Sequence, residues 1–258
     1  MDWEKLHVPS FSADLAALRA RRPLVLCLTN YVAIAFNANA LLAVGASPMM
    51  SFSPEEIPEL AAQCDALYVN IGCLDTQQAE NMRLAVAEAR KNGKPWVLDP
   101  VGVGASRLRM RLCRELLALS APAVIRGNAS EILSLSGQPA KARGTDAAES
   151  SAHALDAAKK LASASRSVVV VSGATDYIVD TKREVSESRG HERMEKVTAM
   201  GCTASALVAA FAAVDADYLQ AAANAMWLMG TAGERAAAVT EGTGSFAVAF
   251  LDELSTLI

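Results

Sequence analysis

Five short runs, PLVLCLT (residues 23–29), ALYVNI (66–71), WVLD (96–99), AVIRG (123–127) and SVVVVSG (167–173), are almost unbroken in apolar residues. A strand that alternates apolar with polar residues has one wet face, whereas an unbroken apolar strand must be covered on both. Between the runs lie longer helical stretches: 75–93 opens on Asp75 as a cap and closes on Gly93, and 147–165 is rich in alanine. Strands separated by helices connect through right-handed crossovers, which sets them parallel in one sheet with helices on either side. The expected fold class is α/β, three-layered, with a mainly parallel central sheet. After residue 173 the pattern changes: DYIVD (176–180) and the charged stretch 182–197 read as an antiparallel hairpin at one sheet edge, and from 201 onward the chain reads as helical. Neither a low-complexity linker nor an internal repeat divides it. At 258 residues, 52% of them hydrophobic, it is expected to form a single domain over 1–258.

In such a sheet, ligands bind beyond the carboxyl ends of the strands. After the first strand, Asn30, Asn37 and Asn39 sit in a small-residue stretch that reads as helical, where asparagine is disfavoured unless it caps or packs. After the third comes LDPVGVGAS (98–106), with Asp99 at the strand end, Pro100 fixing the turn, and Gly102 and Gly104 letting the backbone approach a ligand closely. After the fourth comes VIRGNASEI (124–132): Asn128 and Glu131 can form a capping box, which leaves Arg126 unexplained. Asp99 and Glu131 on neighbouring strand ends can hold Mg²⁺ directly or through waters, because this ion prefers a few carboxylates together with substrate phosphates. Arg126 and the helix starting near Gly201 can bind those phosphates. These parts describe phosphoryl transfer from a nucleotide, with no Walker GxxxxGK[ST] pattern. Amide replacement of Asp99 or Glu131 is expected to spare the fold and impair use of metal. Cys202, set directly after Gly201 at a helix start, is open to three readings: nucleophile, metal ligand, or bystander at a phosphate site. Its thiol is expected to be acidified there, although a bound triphosphate nearby would oppose the thiolate.

Composition bears on what the chain is not. A net charge of −4 argues against a nucleic-acid binder. No apolar run reaches the ~20 residues needed to span a bilayer, and MDWEKLHVPSFSADL lacks the basic-then-apolar order of a signal peptide, so a cytoplasmic protein is expected. The five cysteines form no CxxC pair, and burial is expected of the four other than Cys202. His7, His153 and His191 stand isolated in polar or terminal stretches and read as surface residues.

Taken together, LTNYVA, ANALLAVGASPMM, LDPVGVGAS, VIRGNASEI, VTAMGCTASALVAAF and GTGSFAVAFLDEL, in this order from residue 28 to 254, resemble the hydroxyethylthiazole kinase family of the ribokinase-like superfamily. The resemblance implies transfer of the ATP γ-phosphoryl group to 4-methyl-5-(2-hydroxyethyl)thiazole for thiamine phosphate synthesis, a Mg²⁺ requirement, and a homotrimer with the thiazole pocket between subunits. It implies that Met50 and Gly201 contact the thiazole, with Asn30 assigned beside them, and that Arg126 and Ser172 contact ATP. Asp99 and Glu131 match the acidic positions that organise Mg²⁺, Glu131 within the NxxE pattern NASE. Cys202 falls where related sugar kinases carry a catalytic aspartate. GTG at 242–244 departs slightly from the family's usual GPG. A hydroxymethylpyrimidine or sugar kinase of the same superfamily should carry Asp in a GxGD pattern where this chain has MGCT. A thiol-based sensor would need Cys202 exposed, with Cys73 as its candidate partner.

Overall fold

The computed structural model describes residues 3–138 and 151–257. An eight-stranded sheet runs in the order β2-β1-β3-β4-β5-β6-β7-β8. The strands are β1 (Leu24–Leu28), β2 (Ser47–Met50), β3 (Ala66–Asn70), β4 (Trp96–Asp99), β5 (Val124–Asn128), β6 (Val168–Ser172), β7 (Asp176–Val179) and β8 (Glu184–Glu187). The first six are mutually parallel; β7 and β8 continue antiparallel at one edge. The five apolar runs are thus β1, β3, β4, β5 and β6, and the hairpin is β7–β8, confined to 176–187 because the chain from 192 to 196 turns into a 3₁₀ helix.

Side-chain alternation divides the strands' residues between two cores. Val25, Cys27, Tyr68, Val97 and Val170 enter one, with α1 (Trp3–Arg21), α2 (Ile34–Val44), α8 (Met200–Ala212), α9 (Tyr218–Val239) and α10 (Thr243–Thr256) over them. Leu26, Leu28, Leu67, Trp96, Leu98 and Val169 enter the other, under α3 (Ile57–Gln63), α4 (Thr76–Lys91), α5 (Arg107–Leu119), α6 (Ala129–Leu135) and α7 (Leu155–Ser165). The Asp75 carboxylate caps α4 by accepting from the Gln78 N–H at 2.7 Å. The expected helix over 147–165 corresponds to α7 preceded by a 3₁₀ turn at Ser151–Ala154, and its first residues, 147–150, lie outside the described residues.

Three expectations need correction. Residues 47–50 form an edge strand, in register with Leu24–Cys27, within a stretch that the sequence alone presents as helical. Four half-buried residues with a proline among them give no apolar run, and it is pairing with β1 that makes them a strand. Among the asparagines, Asn30 sits in the turn before α2, Asn37 is buried within α2, and Asn39 is exposed on it. Asn37 donates to Thr29 Oγ1 at 3.3 Å and accepts from Thr203 Oγ1 at 2.9 Å, which ties α2 to α8. Finally, Cys27, Cys64 and Cys113 are buried but Cys73 is exposed, at a left-handed φ of 48°. His153 is exposed, His191 is half-buried, and the side chain of His7 lies outside what is described.

Candidate active site

The carboxyl ends of β1, β3, β4, β5 and β6 open on one cavity of about 780 Å³, and the N-terminus of α8 faces it. Asn30, Asp99, Arg126, Glu131, Ser172, Gly201 and Cys202 all line it. Met50 does not: it ends the edge strand β2, opposite Cys27, and packs half-buried against the core.

At the floor lies a connected polar network. Asn70 and Asp99 are register partners on β3 and β4, and Asn70 Nδ2 donates to Asp99 Oδ2 at 2.9 Å and to the Tyr68 hydroxyl at 2.8 Å. The single Tyr68 hydroxyl proton has two acceptors in reach, Asp99 Oδ2 at 3.2 Å and the Cys202 carbonyl at 2.9 Å. Asn70 Oδ1 accepts from Asn30 Nδ2 at 2.9 Å and from the Gly72 N–H at 2.9 Å, and Asn30 Nδ2 also reaches Cys202 Sγ at 3.4 Å. The strand ends and the first turn of α8 are therefore held as one unit, since each partner lost would leave a buried polar group unpaired.

Burial pushes the Asp99 carboxyl up to about 7, with the Arg126 charge opposing and the Glu131 charge adding to the rise. Burial likewise raises Glu131, against the Gly102 and Asn128 backbone donors. The Cys202 thiol is pushed up to about 12, first by burial and then by the Asp99 charge. The acidified thiol expected at a helix start is thus overturned: desolvation of the charged form outweighs the field of the helix end.

Glu131 is half of a capping box. Its N–H donates to Asn128 Oδ1 at 3.0 Å while its Oε2 accepts from the Asn128 N–H at 2.8 Å. Its Oε1 accepts from the N–H of Gly102 at 2.9 Å, and Gly102 takes the left-handed φ of 60° that aims this N–H inward. Glutamine offers one carbonyl oxygen for these two donors. Glu131→Gln should therefore strand one buried N–H at a cost of about 1–3 kcal/mol, lowering Tm by about 2–4 °C per kcal/mol in addition to impairing activity. Thermal unfolding with an unchanged Tm would show the carboxylate to be structurally dispensable.

Arg126 reaches across the cavity, its Nη1 donating to the Gly201 carbonyl at 2.9 Å and its Nη2 to Ser172 Oγ at 2.7 Å. A Cβ at position 201 would lie 2.8 Å from Arg126 Nη1, so glycine there lets the guanidinium pass. The Arg126 Nε is buried without a partner among the described residues, an exception to the rule that buried donors are paired.

Among the described residues no group of three or more His, Cys, Asp or Glu side chains could hold a metal ion. The donor set fits Mg²⁺ in its usual protein setting: two buried carboxylates facing one cavity, with waters and ligand phosphates able to complete the shell. Glu131, with a backbone donor on each oxygen, suits the water-mediated role.

Sequence reasoning passed over Tyr68 and Asn70, which lay inside an apparently apolar run. It also passed over Asp176, whose Oδ1 accepts from the Gly173 N–H at 3.0 Å and whose carboxyl burial pushes up to about 7. The one signal available was a polar Asn70 in a strand otherwise buried on both faces.

The sequence profile of the hydroxyethylthiazole kinase family matches residues 15–258. Hydroxyethylthiazole kinase of Klebsiella pneumoniae strain 342 is 52% identical over 237 residues, covering 92% of this chain and 91% of its own. That of Pectobacterium carotovorum subsp. carotovorum is 47% identical over 246 residues, covering 95% and 93%. The solved hydroxyethylthiazole kinase protein of Pyrococcus horikoshii OT3 superposes with a TM-score of 0.88 at 37% identity, covering 96% of this chain and 93% of that one. A ribokinase-like superfamily protein of Enterococcus faecalis V583, 15% identical with a TM-score of 0.68, shares the fold. With its parallel sheet, antiparallel edge and strand-end cavity, the chain has the ribokinase-like fold and belongs to the hydroxyethylthiazole kinase family.

Proposed function

We propose that this chain, acting as one domain over residues 1–258, transfers the γ-phosphoryl group of ATP to the primary alcohol of 4-methyl-5-(2-hydroxyethyl)thiazole, supplying the thiazole phosphate used in thiamine biosynthesis. The observation that carries the reading is the convergence of Asp99, Arg126 and Cys202 on one cavity in a chain so similar to kinases of this name. The acceptor lies at the Asn30, Gly201 and Cys202 end; Met50, which does not line this cavity, would contribute only across the boundary between subunits proposed below. The ATP phosphates lie against Arg126, whose Nε is unpaired, and Ser172, whose hydroxyl already orients the guanidinium. Mg²⁺ would be held from Asp99 and Glu131, neutralising phosphate charge. In a loose transition state the alcohol keeps its proton until late, so alignment and charge neutralisation dominate. The protein works in the cytoplasm on this reading; among the described residues, no helix is long and apolar enough to cross a membrane.

ADP release from MgATP should be rapid with the hydroxyethylthiazole and weak with hydroxymethylpyrimidine or ribose. Preference for either of the latter would replace the proposed acceptor. Lysine at position 126 keeps the charge but loses the fork that bonds two oxygens. Arg126→Lys should therefore raise the ATP KM about tenfold, which one lost charge-assisted hydrogen bond at ~1.5 kcal/mol supplies. A rise confined to the thiazole KM would move Arg126 to the other substrate.

A homotrimer with active sites between subunits is part of the same proposal. Tyr31 and Val32 are 58% and 59% exposed and Val32 also lines the cavity, while Leu42, 56% exposed, lies farther along α2, so the acceptor end and the helix leading from it carry uncovered apolar surface that a second copy would bury. Sedimentation at assay concentration should give three subunits, and a fully active monomer would refute the assembly.

A further inference from the structure

The chain after β8 lies along α9 as a strap. Its Arg189 stacks a guanidinium 5.4 Å from the centre of the Trp227 ring and donates from Nη1 to Glu234 Oε2 at 3.3 Å. The Gly190 N–H donates to Glu234 Oε1 at 3.2 Å, and Arg193 donates to the Thr240 carbonyl. Trp227, Gly230 and Glu234 follow the spacing of a single helix face. Between these ties two positions of the helix that meet the strap, Gly230 and Gly233, carry no side chain. A Cβ at Gly230 would lie 2.5 Å from Arg189 Cβ and 2.8 Å from the Arg189 carbonyl carbon and oxygen, and one at Gly233 would lie 2.4 Å from Met194 Sδ. The first obstacle is backbone, which cannot swing aside; the second is the end of a flexible thioether.

The strap is also a wall of the cavity, which Arg189, Met194 and Val197 line together with Met226, Met229 and Gly230 of α9. Strand order fixes which end this is: Asn30 and Gly72 follow β1 and β3 on one side of the sheet, whereas Ser172 ends β6 and the strap follows β8 on the other. We propose that Gly230 is a positioning residue for the nucleotide: lacking a side chain, it lets the strap backbone seat against α9 and so sets the width of the cavity at the Ser172 end. This rests on the reading above, in which that end takes ATP.

The test is steady-state kinetics on the full chain with three variants. Gly230→Ala should raise the ATP KM at least tenfold while kcat and the thiazole KM stay within threefold, because the strap backbone must retreat from α9. Gly233→Ala makes the same helix-favouring change but meets only the flexible Met194 side chain, so its ATP KM should rise less than threefold. Glu234→Ala, which leaves both glycines in place and removes the acceptor of Arg189 and Gly190, should raise the ATP KM three- to tenfold and decides the matter if Gly230→Ala does not fold. An ATP KM unmoved in folded Gly230→Ala, equal rises in both substrates' KM, or equal effects of the two alanines would overturn the proposal, as would an ATP KM unmoved in Glu234→Ala. Failure of the functional reading looks different: the wild-type chain itself would not turn over MgATP with the thiazole.

Discussion

Asparagine in place of Asp99 should cut kcat by about 10²–10³, the loss typical of removing one preorganised electrostatic group, and should make the protein harder to unfold at pH 8. Its shape suits the site, since an amide oxygen can still accept from Asn70 Nδ2. What disappears is the charge that Mg²⁺ and the phosphates would use, so residual activity should require more Mg²⁺. The stability effect follows from the sign of the pKa shift. The folded carboxyl, at about 7 against an ordinary 3.8, binds its proton more tightly than the unfolded one. Its contribution to stability is therefore complete below about pH 4 and lost as pH rises through 7. The variant has no such loss, so the gap in Tm should be widest above pH 7 and close toward pH 4. Undiminished kcat at limiting Mg²⁺, or a variant less stable at pH 8, would remove Asp99 from this role.

Serine in place of Cys202 should leave activity within about 10- to 100-fold of the wild type, the lower part of the range for general-base catalysis. With its pKa pushed up to about 12, the thiol holds its proton at neutral pH and cannot serve as a ready nucleophile. It need not, because the substrate alcohol can attack the γ-phosphorus directly. Cys202→Asp should match or exceed the serine variant: the new carboxylate replaces a weak sulfur acceptor of the Asn30 amide, 3.4 Å away, and stands ready for the alcohol proton. Mass spectrometry of the enzyme quenched during turnover checks the covalent alternative. A phosphocysteine, or a folded, ATP-binding Cys202→Ser and Cys202→Asp that are both inactive, would reverse the assignment.

The parallel strands were legible because burial on both faces writes itself as unbroken apolar runs, and β4 matched residue for residue. β2 was illegible for the converse reason: Ser47 to Met50 owe their conformation to a neighbour distant in sequence. The site separated along the same line. Asp99 and Arg126 could be found because they are charged residues in otherwise apolar strands, Asp99 at the end of β4 and Arg126 within β5, and Glu131 because it completes a capping box in the first turn of α6. Tyr68 could not, since an aromatic within an apolar run reads as core, and its hydroxyl gains meaning only from Asp99 and Cys202 across the sheet. The Cys202 thiol was misread because position along a helix is local information and desolvation is not.

The two cores that enclose the sheet also separate timescales. Asp99 and Arg126 are mounted on β4 and β5, central strands whose amides are covered from both sides. Amides so placed exchange with solvent through near-global unfolding, whereas a partly exposed 3₁₀ segment at the rim, such as Glu192–Lys196, exchanges through local opening. On the proposed function, the charges that would surround the transferred phosphoryl group thus belong to the slowest part of the molecule and the wall proposed for the nucleotide to a faster one, so that substrate entry and product exit would proceed by opening the rim while the charges at the centre stay in place.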